Sequence, residues 1–258
     1  MARIYPLFSS SKGNCIYIGS KESGILIDDG VSYSRLKNAL ELNGLAPECI
    51  KALFVTHEHS DHTKGIAMLT KKYRIPVFSQ EYTLGVLYES GSIHGECYEI
   101  KDGTDINGLS VSFFRTPHDT AESCGYRIDF PDGKSCAVCT DLGHVTPEVE
   151  NALLGTDAIV LEANYDVDML RNGSYAYYLK TRILSPNGHL SNDDSGKFAA
   201  RLVESGTTRL ILGHLSQENN TPELADSTVE RYLSAFKRGG DYLLSVAPVE
   251  TSGGFVSF

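Results

Sequence analysis

Residues 54–65 read FVTHEHSDHTKG. Four of these side chains are candidate metal ligands: His57, His59, Asp61 and His62. His57 and His59 lie two apart, just beyond KALFV, which reads as a short buried strand. Both imidazoles can therefore point to the same side. Asp61 and His62 follow as the chain turns into the next helix, where they can reach a neighbouring position. Four such residues within six positions is far denser than a solvated polar loop requires. They do not complete two metal sites, because a catalytic centre needs more protein ligands while keeping positions open.

The chain has eight histidines, and the others are informative. His118 follows a strand-like run in FFRTPHDT, Asp141 ends one in AVCTDLGH, and His214 ends one in LILGHLSQENN. These three are further ligand candidates at the carboxyl ends of expected strands, where open α/β architectures place their sites. His94, in SGSIHGEC, and His144, three residues after Asp141, have no motif behind them and read as surface.

At 258 residues, with 41% hydrophobic residues, the chain can bury a sizeable core, and one domain over 1–258 is the simplest organisation. No repeat, low-complexity tract or linker interrupts it. No apolar run approaches the 18 or so residues of a membrane helix, and MARIYPLFSSSKGN carries no secretory pattern. Six scattered cysteines suit a reduced, cytoplasmic protein rather than a disulfide framework. Cys136 and Cys139 form a CxxC, but SCAVCTD reads as a strand, so their side chains face opposite ways and read as buried thiols rather than zinc ligands. The net charge of −10 argues against a large non-specific nucleic-acid surface. It leaves room for a local basic patch and a positively charged metal centre.

Short strands are expected at RIYPLF, CIYIG and GILID, then a helix at SYSRLKNALELNG with Gly44 as its stop. GIAMLTKKY and EYTLGVLYES read as helices around RIPVF. SVSFFRT, CGYRIDF and KSCAVCTD read as strands, PEVENALLG as a helix and DAIVLEA as a buried strand. Helix, strand and helix follow in SNDDSGKFAARLVES, TRLILGH and TPELADSTVERYLSAFKRG, the last with Thr221 as N-cap and Pro222 at the first helical position. This order predicts two mixed α/β halves packed together.

THEHSDH resembles the HxHxDH signature of the metallo-β-lactamase superfamily, and His118, Asp141 and His214 follow in that family's order and approximate spacing. The resemblance implies an α/β fold, a four-layered αβ/βα sandwich, with two divalent metal ions at one edge. His57, His59 and His118 would bind one metal, Asp61, His62 and His214 the second, with Asp141 bridging. Nitrogen and oxygen donors suit Zn, Mn or Fe. Two such ions roughly 3.5–4 Å apart would hold a bridging hydroxide as nucleophile and polarise an oxygen of the substrate. Asp61 would stand beside that water and orient it.

Fold alone does not choose among lactams, thioesters, lactones and phosphodiesters. LEANYD, residues 161–166, and SPNGHLSN, residues 185–192, resemble segments of the ribonuclease Z branch, where a Glu and a later His protonate the leaving oxygen. Glu162 and His189 match in order and context. A leaving alkoxide benefits from a general acid, and a carboxylate holding an imidazole favours its proton-donating form. Alternatively, Glu162 caps a strand end and His189 a turn. SSSKGN, residues 9–14, can cradle a phosphate with backbone N–H groups, Ser10 and Lys12, although a hairpin turn explains it equally well. MLRNGSYAYYLKTRI, residues 169–183, carries Arg171, Lys180 and Arg182 with interleaved Tyr175, Tyr177 and Tyr178 and no acid. Cations grip phosphates while tyrosines stack on bases. A solvated basic edge over core tyrosines is the other reading.

Taken together, these segments resemble the YycJ (WalJ) group of compact metallo-β-lactamase-fold proteins, to which 5′→3′ exonuclease activity on double-stranded DNA is attributed. The resemblance implies a dimetal phosphodiesterase acting on nucleic acid, DNA in particular, and the sequence itself calls for no membrane and no obligate protein partner. The rivals are hydrolysis of a small phosphodiester, thioester or lactone in the same site, and a non-catalytic metal-binding regulatory module.

Overall fold

The computed structural model describes residues 2–258. β1 (Arg3–Ser10) and β2 (Gly13–Gly19) form an antiparallel hairpin that turns at Ser11 and Lys12. After β3 (Gly24–Ile27) the chain switches to crossovers. These pass through α1 (Tyr33–Leu42), β4 (Ile50–Phe54), α2 (Ser60–Thr63), α3 (Ile66–Tyr73), β5 (Val77–Ser79), α4 (Glu81–Glu89) and β6 (Cys97–Glu99). From β3 to β6 the strands are parallel.

The second half mirrors this plan. β7 (Thr104–Ile106), β8 (Leu109–Arg115), β9 (Cys124–Asp129) and β10 (Ser135–Cys139) run antiparallel. α5 (Pro147–Leu153) leads to β11 (Ala158–Glu162), then α6 (Val167–Asn172), α7 (Tyr177–Ile183) and α8 (Asn192–Glu204). β12 (Arg209–Gly213), α9 (Pro222–Tyr232), β13 (Leu243–Val246) and β14 (Val256–Ser257) complete the chain. β10 to β13 are parallel, while β14 returns to pair with β1 of the first sheet. Two seven-stranded sheets result, ordered β14-β1-β2-β3-β4-β5-β6 and β13-β12-β11-β10-β9-β8-β7.

The side chains sort into layers by strand alternation. Ile16, Ile18, Ile25, Ile27 and Phe54 of the first sheet meet Val111, Tyr126, Val138, Val160 and Ile211 of the second in a core between the sheets. The opposite faces carry Cys15, Tyr17, Leu26 and Leu53 against α1 and α3, and Ile159, Leu161, Leu210 and Leu212 against α5, α8 and α9. Both faces of each central strand are covered, so those strands read as continuous apolar runs. The architecture is the four-layered αβ/βα sandwich of the metallo-β-lactamase fold. Cys136 lies in the inter-sheet core and Cys139 on the helical side, as alternation requires.

The helix signals hold locally. Thr221 Oγ1 accepts from Leu224 N with Pro222 behind it, and Ser191 Oγ accepts from Asp194 N at the start of α8. The weak edge strands β6, β7, β13 and β14, of two to four residues each, have no legible sequence pattern. Residues 169–183 form the end of α6 and all of α7, and Tyr177 and Tyr178 lie exposed rather than in a core. Among the described residues, no helix is long and apolar enough to cross a membrane.

Candidate dimetal active site

The carboxyl ends of the parallel strands converge on one edge of the sandwich. β4 runs out into His57, β10 into Asp141, β11 ends in Glu162, and β12 runs out into His214. Backbone strain marks this edge. Asp28, Asp141 and His214, each just past a strand, have left-handed φ values of 60°, 54° and 57°. Non-glycine residues adopt that region at a penalty, and such residues cluster where a site dictates their direction. The HxHxDH turn is clamped from below: Asp29 N donates to His62 O at 2.9 Å and Gly65 N to Asp29 O at 2.7 Å. Only glycine fits at position 30, where an added Cβ would stand 1.6 Å from the Asp61 carbonyl oxygen.

Four groups of donor atoms lie within 4.8 Å of one another: His57, His59 and His118; Asp61, His62 and His214; His57, His62 and Asp141; and Asp141, Glu162, His189 and His214. The Asp141 carboxylate stands between the first two, with Oδ2 3.2 Å from His62 Nε2 and Oδ1 3.6 Å from His118 Nε2. Four of the imidazoles are anchored from behind. His62 Nδ1 donates to Asp28 Oδ2 at 2.8 Å, His118 Nδ1 to Gly188 O at 3.1 Å, and His214 Nδ1 to Glu162 Oε1 at 2.7 Å. His57 Nδ1 lies 3.0 Å from Thr56 Oγ1, whose own proton is directed at Asp28. An acceptor behind Nδ1 places the N–H there and turns the Nε2 lone pair into the site. His57 Nε2, His214 Nε2 and Asp141 Oδ2 are buried and make no hydrogen bond, although Asp141 Oδ2 lies 3.2 Å from His62 Nε2. Buried polar atoms are rarely left unpaired, so these inward-facing atoms fit divalent metal ions as their missing partners.

Protons on His62 and His214 balance the crowded carboxylates here, a charge that bound cations would replace. Burial opposes charge on His62, yet Asp141, Asp28 and Asp61 hold its pKa well above the usual value. Burial also opposes ionisation of Asp61, but His62 and His214 keep that carboxyl far below the usual range. His57 is driven the other way, by burial and then by His62, towards a neutral lone-pair donor. The cluster in this form holds anionic carboxylates among crowded imidazoles, a donor set for cations.

Glu162 is fully buried and saturated. Its Oε1 accepts from His189 Nδ1 at 2.9 Å and from His214 Nδ1, and its Oε2 from Leu142 N at 2.8 Å and Leu190 N at 3.0 Å. Against the desolvation of burial, His189 and His214 pull its pKa down to about 2, so it is a carboxylate. His189 is one-fifth exposed and lines the cavity in front of the donor set.

That cavity, of about 220 Å³, contains His59, Asp61, His118, Asp141, His189 and His214, together with Ser11, Tyr175 and Arg182. Arg182 Nε is hydrogen-bonded to Asp119 Oδ2 at its wall. The other expected phosphate contacts are elsewhere. Ser10 is buried and its Oγ accepts from Lys12 N, while the Lys12 side chain is exposed on the hairpin turn. Ser11 takes the place at the cavity, because successive residues at the strand end face opposite ways. Arg171 is exposed beyond the cavity, and Lys180 Nζ donates to Arg171 O and Gly173 O, tying α7 to α6. His144 is exposed and His94 likewise.

Several site residues had no motif. Asp28 is one, although IDD at a strand end is a usable signal. Asn14 is another: its Nδ2 lies 3.1 Å from His62 Nε2 and 3.4 Å from Asp61 Oδ2, steadied by Ser10 O at 3.0 Å. Asp119, beside His118, is the third.

A sandwich of this layering with this His/Asp set defines a metal-binding class of hydrolase folds. The chain belongs to the beta-lactamase superfamily: the family profile for the beta-lactamase superfamily domain matches residues 24–215. It is 35% identical over 234 residues to Exodeoxyribonuclease WalJ of Streptococcus pneumoniae, covering 88% of this chain and 87% of the relative. It is 34% identical over 231 residues to Exodeoxyribonuclease YycJ of Bacillus anthracis, again 88% and 87%. Among solved structures, the metallo-beta-lactamase fold protein YhfI from Bacillus subtilis superposes with a TM-score of 0.74 at 14% identity, covering 97% and 98% of the two chains.

Proposed function

We propose that the chain is a metal-dependent phosphodiesterase, a 5′→3′ DNA exonuclease working in the cytoplasm as one hydrolase domain over residues 1–258. The observation that carries this is the pairing of two features in one small cavity. An inward-facing donor set has His57 Nε2, His214 Nε2 and Asp141 Oδ2 without hydrogen bonds, and a carboxylate-held imidazole, Glu162–His189, stands in front of it. The names of the WalJ and YycJ relatives support DNA as the substrate.

His57, His59 and His118 would hold one metal ion, Asp61, His62 and His214 the other, and Asp141 both. Zn, Mn and Fe all suit this nitrogen and oxygen set. Two bound ions would supply Lewis-acid polarisation of the phosphate oxygens and an ionised nucleophile at neutral pH. Asp61 orients the attacking water by accepting a hydrogen bond from it. His189 donates its Nε2 proton to the leaving alkoxide, and Glu162 stabilises the imidazolium before transfer. Arg182 meets a non-bridging oxygen of the scissile or adjoining phosphate from the cavity wall.

The test incubates metal-loaded protein with end-labelled single- and double-stranded DNA and RNA, alongside bis-p-nitrophenyl phosphate. Stepwise shortening of DNA from its 5′ end, absent in Asp141→Ala, is the expected result. Turnover of the small ester with no cleavage of any nucleic acid would replace this reading with a small-phosphodiester hydrolase, which a cavity of about 220 Å³ also accommodates.

A further inference from the structure

α6 and α7 form a cap with its own small core. Tyr165, Leu170 and Ile183 are buried together, with Val167, Tyr175 and Leu179 packed against them, apart from the three large cores. The Lys180 ammonium closes the junction by donating to the carbonyls of Arg171 and Gly173 at 2.8 and 2.7 Å. Helical periodicity gives α7 two working faces. Leu179, Arg182 and Ile183 face the catalytic cavity. Tyr177, Lys180, Thr181 and Leu184 face outward and, with Arg171, line a separate cleft of about 520 Å³.

The outward face is unusual for a short polar cap. Tyr177 is 85% and Tyr178 75% exposed, the two most exposed large hydrophobic side chains in the described residues. The segment around them carries cations and no carboxylate in a chain of net charge −10. The catalytic cavity is smaller than the roughly 300–1,000 Å³ of pockets that enclose a drug-sized ligand. It therefore admits the scissile phosphate and part of one nucleotide, and the neighbouring nucleotides must lie on its rim. α7 is part of that rim, with one face in the cavity and the other in the cleft.

We infer that Tyr177 and the adjoining Tyr178, with Arg171 beside Tyr177 in the cleft, form a nucleobase-stacking subsite that holds unpaired nucleotides next to the scissile phosphate. This rests on the nuclease reading above and extends it. Aromatic rings exposed beside cations accept bases of any identity, because every base has a π-face, and cations at the edge meet the backbone. The occupant is single-stranded nucleic acid: a paired base has its faces covered, and a duplex end must open for its phosphate to enter so small a cavity. Lys180 serves this subsite by positioning the two helices rather than by gripping phosphate.

The test compares wild type with Tyr177→Ala/Tyr178→Ala and Tyr177→Phe/Tyr178→Phe, in metal-loaded full-length protein. Three substrates are used: a single-stranded DNA oligonucleotide, the same length with abasic residues near the 5′ end, and bis-p-nitrophenyl phosphate. Losing a stacked base weakens binding by about fivefold or more. The alanine variant is expected to lose at least fivefold in kcat/KM on the base-containing strand, mostly through KM. The phenylalanine variant should retain wild-type values, and abasic DNA and the small ester should be turned over equally by all three. Equal kcat/KM on the base-containing strand for wild type and the alanine variant overturns the subsite and leaves the nuclease reading intact. An equal loss on abasic DNA overturns stacking as its basis. If wild type turns over only the small ester, the nuclease reading fails and the subsite falls with it.

Discussion

Removing the His189 imidazole separates proton donation from every other role of this edge. His189 Nδ1 is 2.9 Å from Glu162 Oε1, and its side chain is one-fifth exposed. In His189→Ala, Glu162 keeps three of its four hydrogen bonds, from His214 Nδ1, Leu142 N and Leu190 N. No buried charge is orphaned, so the stability loss should stay near about 1–3 kcal/mol, well inside the roughly 5–15 kcal/mol of a typical domain. A positioned general acid contributes about 10²–10⁴ in rate, or about 3–5 kcal/mol of barrier. That contribution depends on the leaving group. Deoxyribose alkoxide needs the proton, whereas p-nitrophenolate departs without it. His189→Ala should therefore lose about 10²–10⁴ in kcat on DNA and less than about tenfold on bis-p-nitrophenyl phosphate. Its metal content, by elemental analysis, should equal that of wild type. Equal losses on both substrates, or loss of metal, would refute the general-acid role and place His189 in binding instead.

Asp28→Asn should weaken metal affinity about 10- to 100-fold, measured by chelator competition, because Asp28 Oδ2 orients His62 and Oδ1 holds Thr56 N at 2.8 Å. Gly30→Ala sets a Cβ 1.6 Å from the Asp61 carbonyl oxygen, so the HxHxDH turn must move. A stability loss of about 1–3 kcal/mol or more in denaturant titrations should accompany loss of bound metal. The thiols report on burial. Burial pushes Cys15, Cys136 and Cys139 well above the usual pKa and Cys124 to about 12. Cys49 is raised for the same reason, and Cys97 alone is half-buried rather than buried. Native protein should react with Ellman's reagent at one thiol and unfolded protein at six.

Much of the site is local and was legible for that reason. His57, His59, Asp61 and His62 are consecutive enough that a strand end and one helical turn determine their directions. Asp141, Glu162 and His214 mark strand ends in apolar runs, but alternation sets the direction of Glu162 alone, because Asp141 and His214 leave their strands through left-handed backbone. Tertiary structure decided what those residues share. Glu162 Oε1 serves both His189 and His214, 27 and 52 residues away, and Asp28 backs His62 across 34, because neighbouring strands end at the same edge.

Substrate contacts were least legible, since facing is a matter of one residue. Ser11 reaches the cavity where Ser10 is buried, and Arg182 reaches it where Arg171 and Lys180 do not. Charge in a segment is a property of the sequence, but which charges meet a ligand depends on how that segment is rotated when it packs. By itself, the sequence carries its ligand types in an order that resembles a known family, and that resemblance implied the fold and the edge where the candidate ligands gather. Only the packing of α6 and α7 over that edge decided which cation lines the cavity, and which tyrosines stay in solvent.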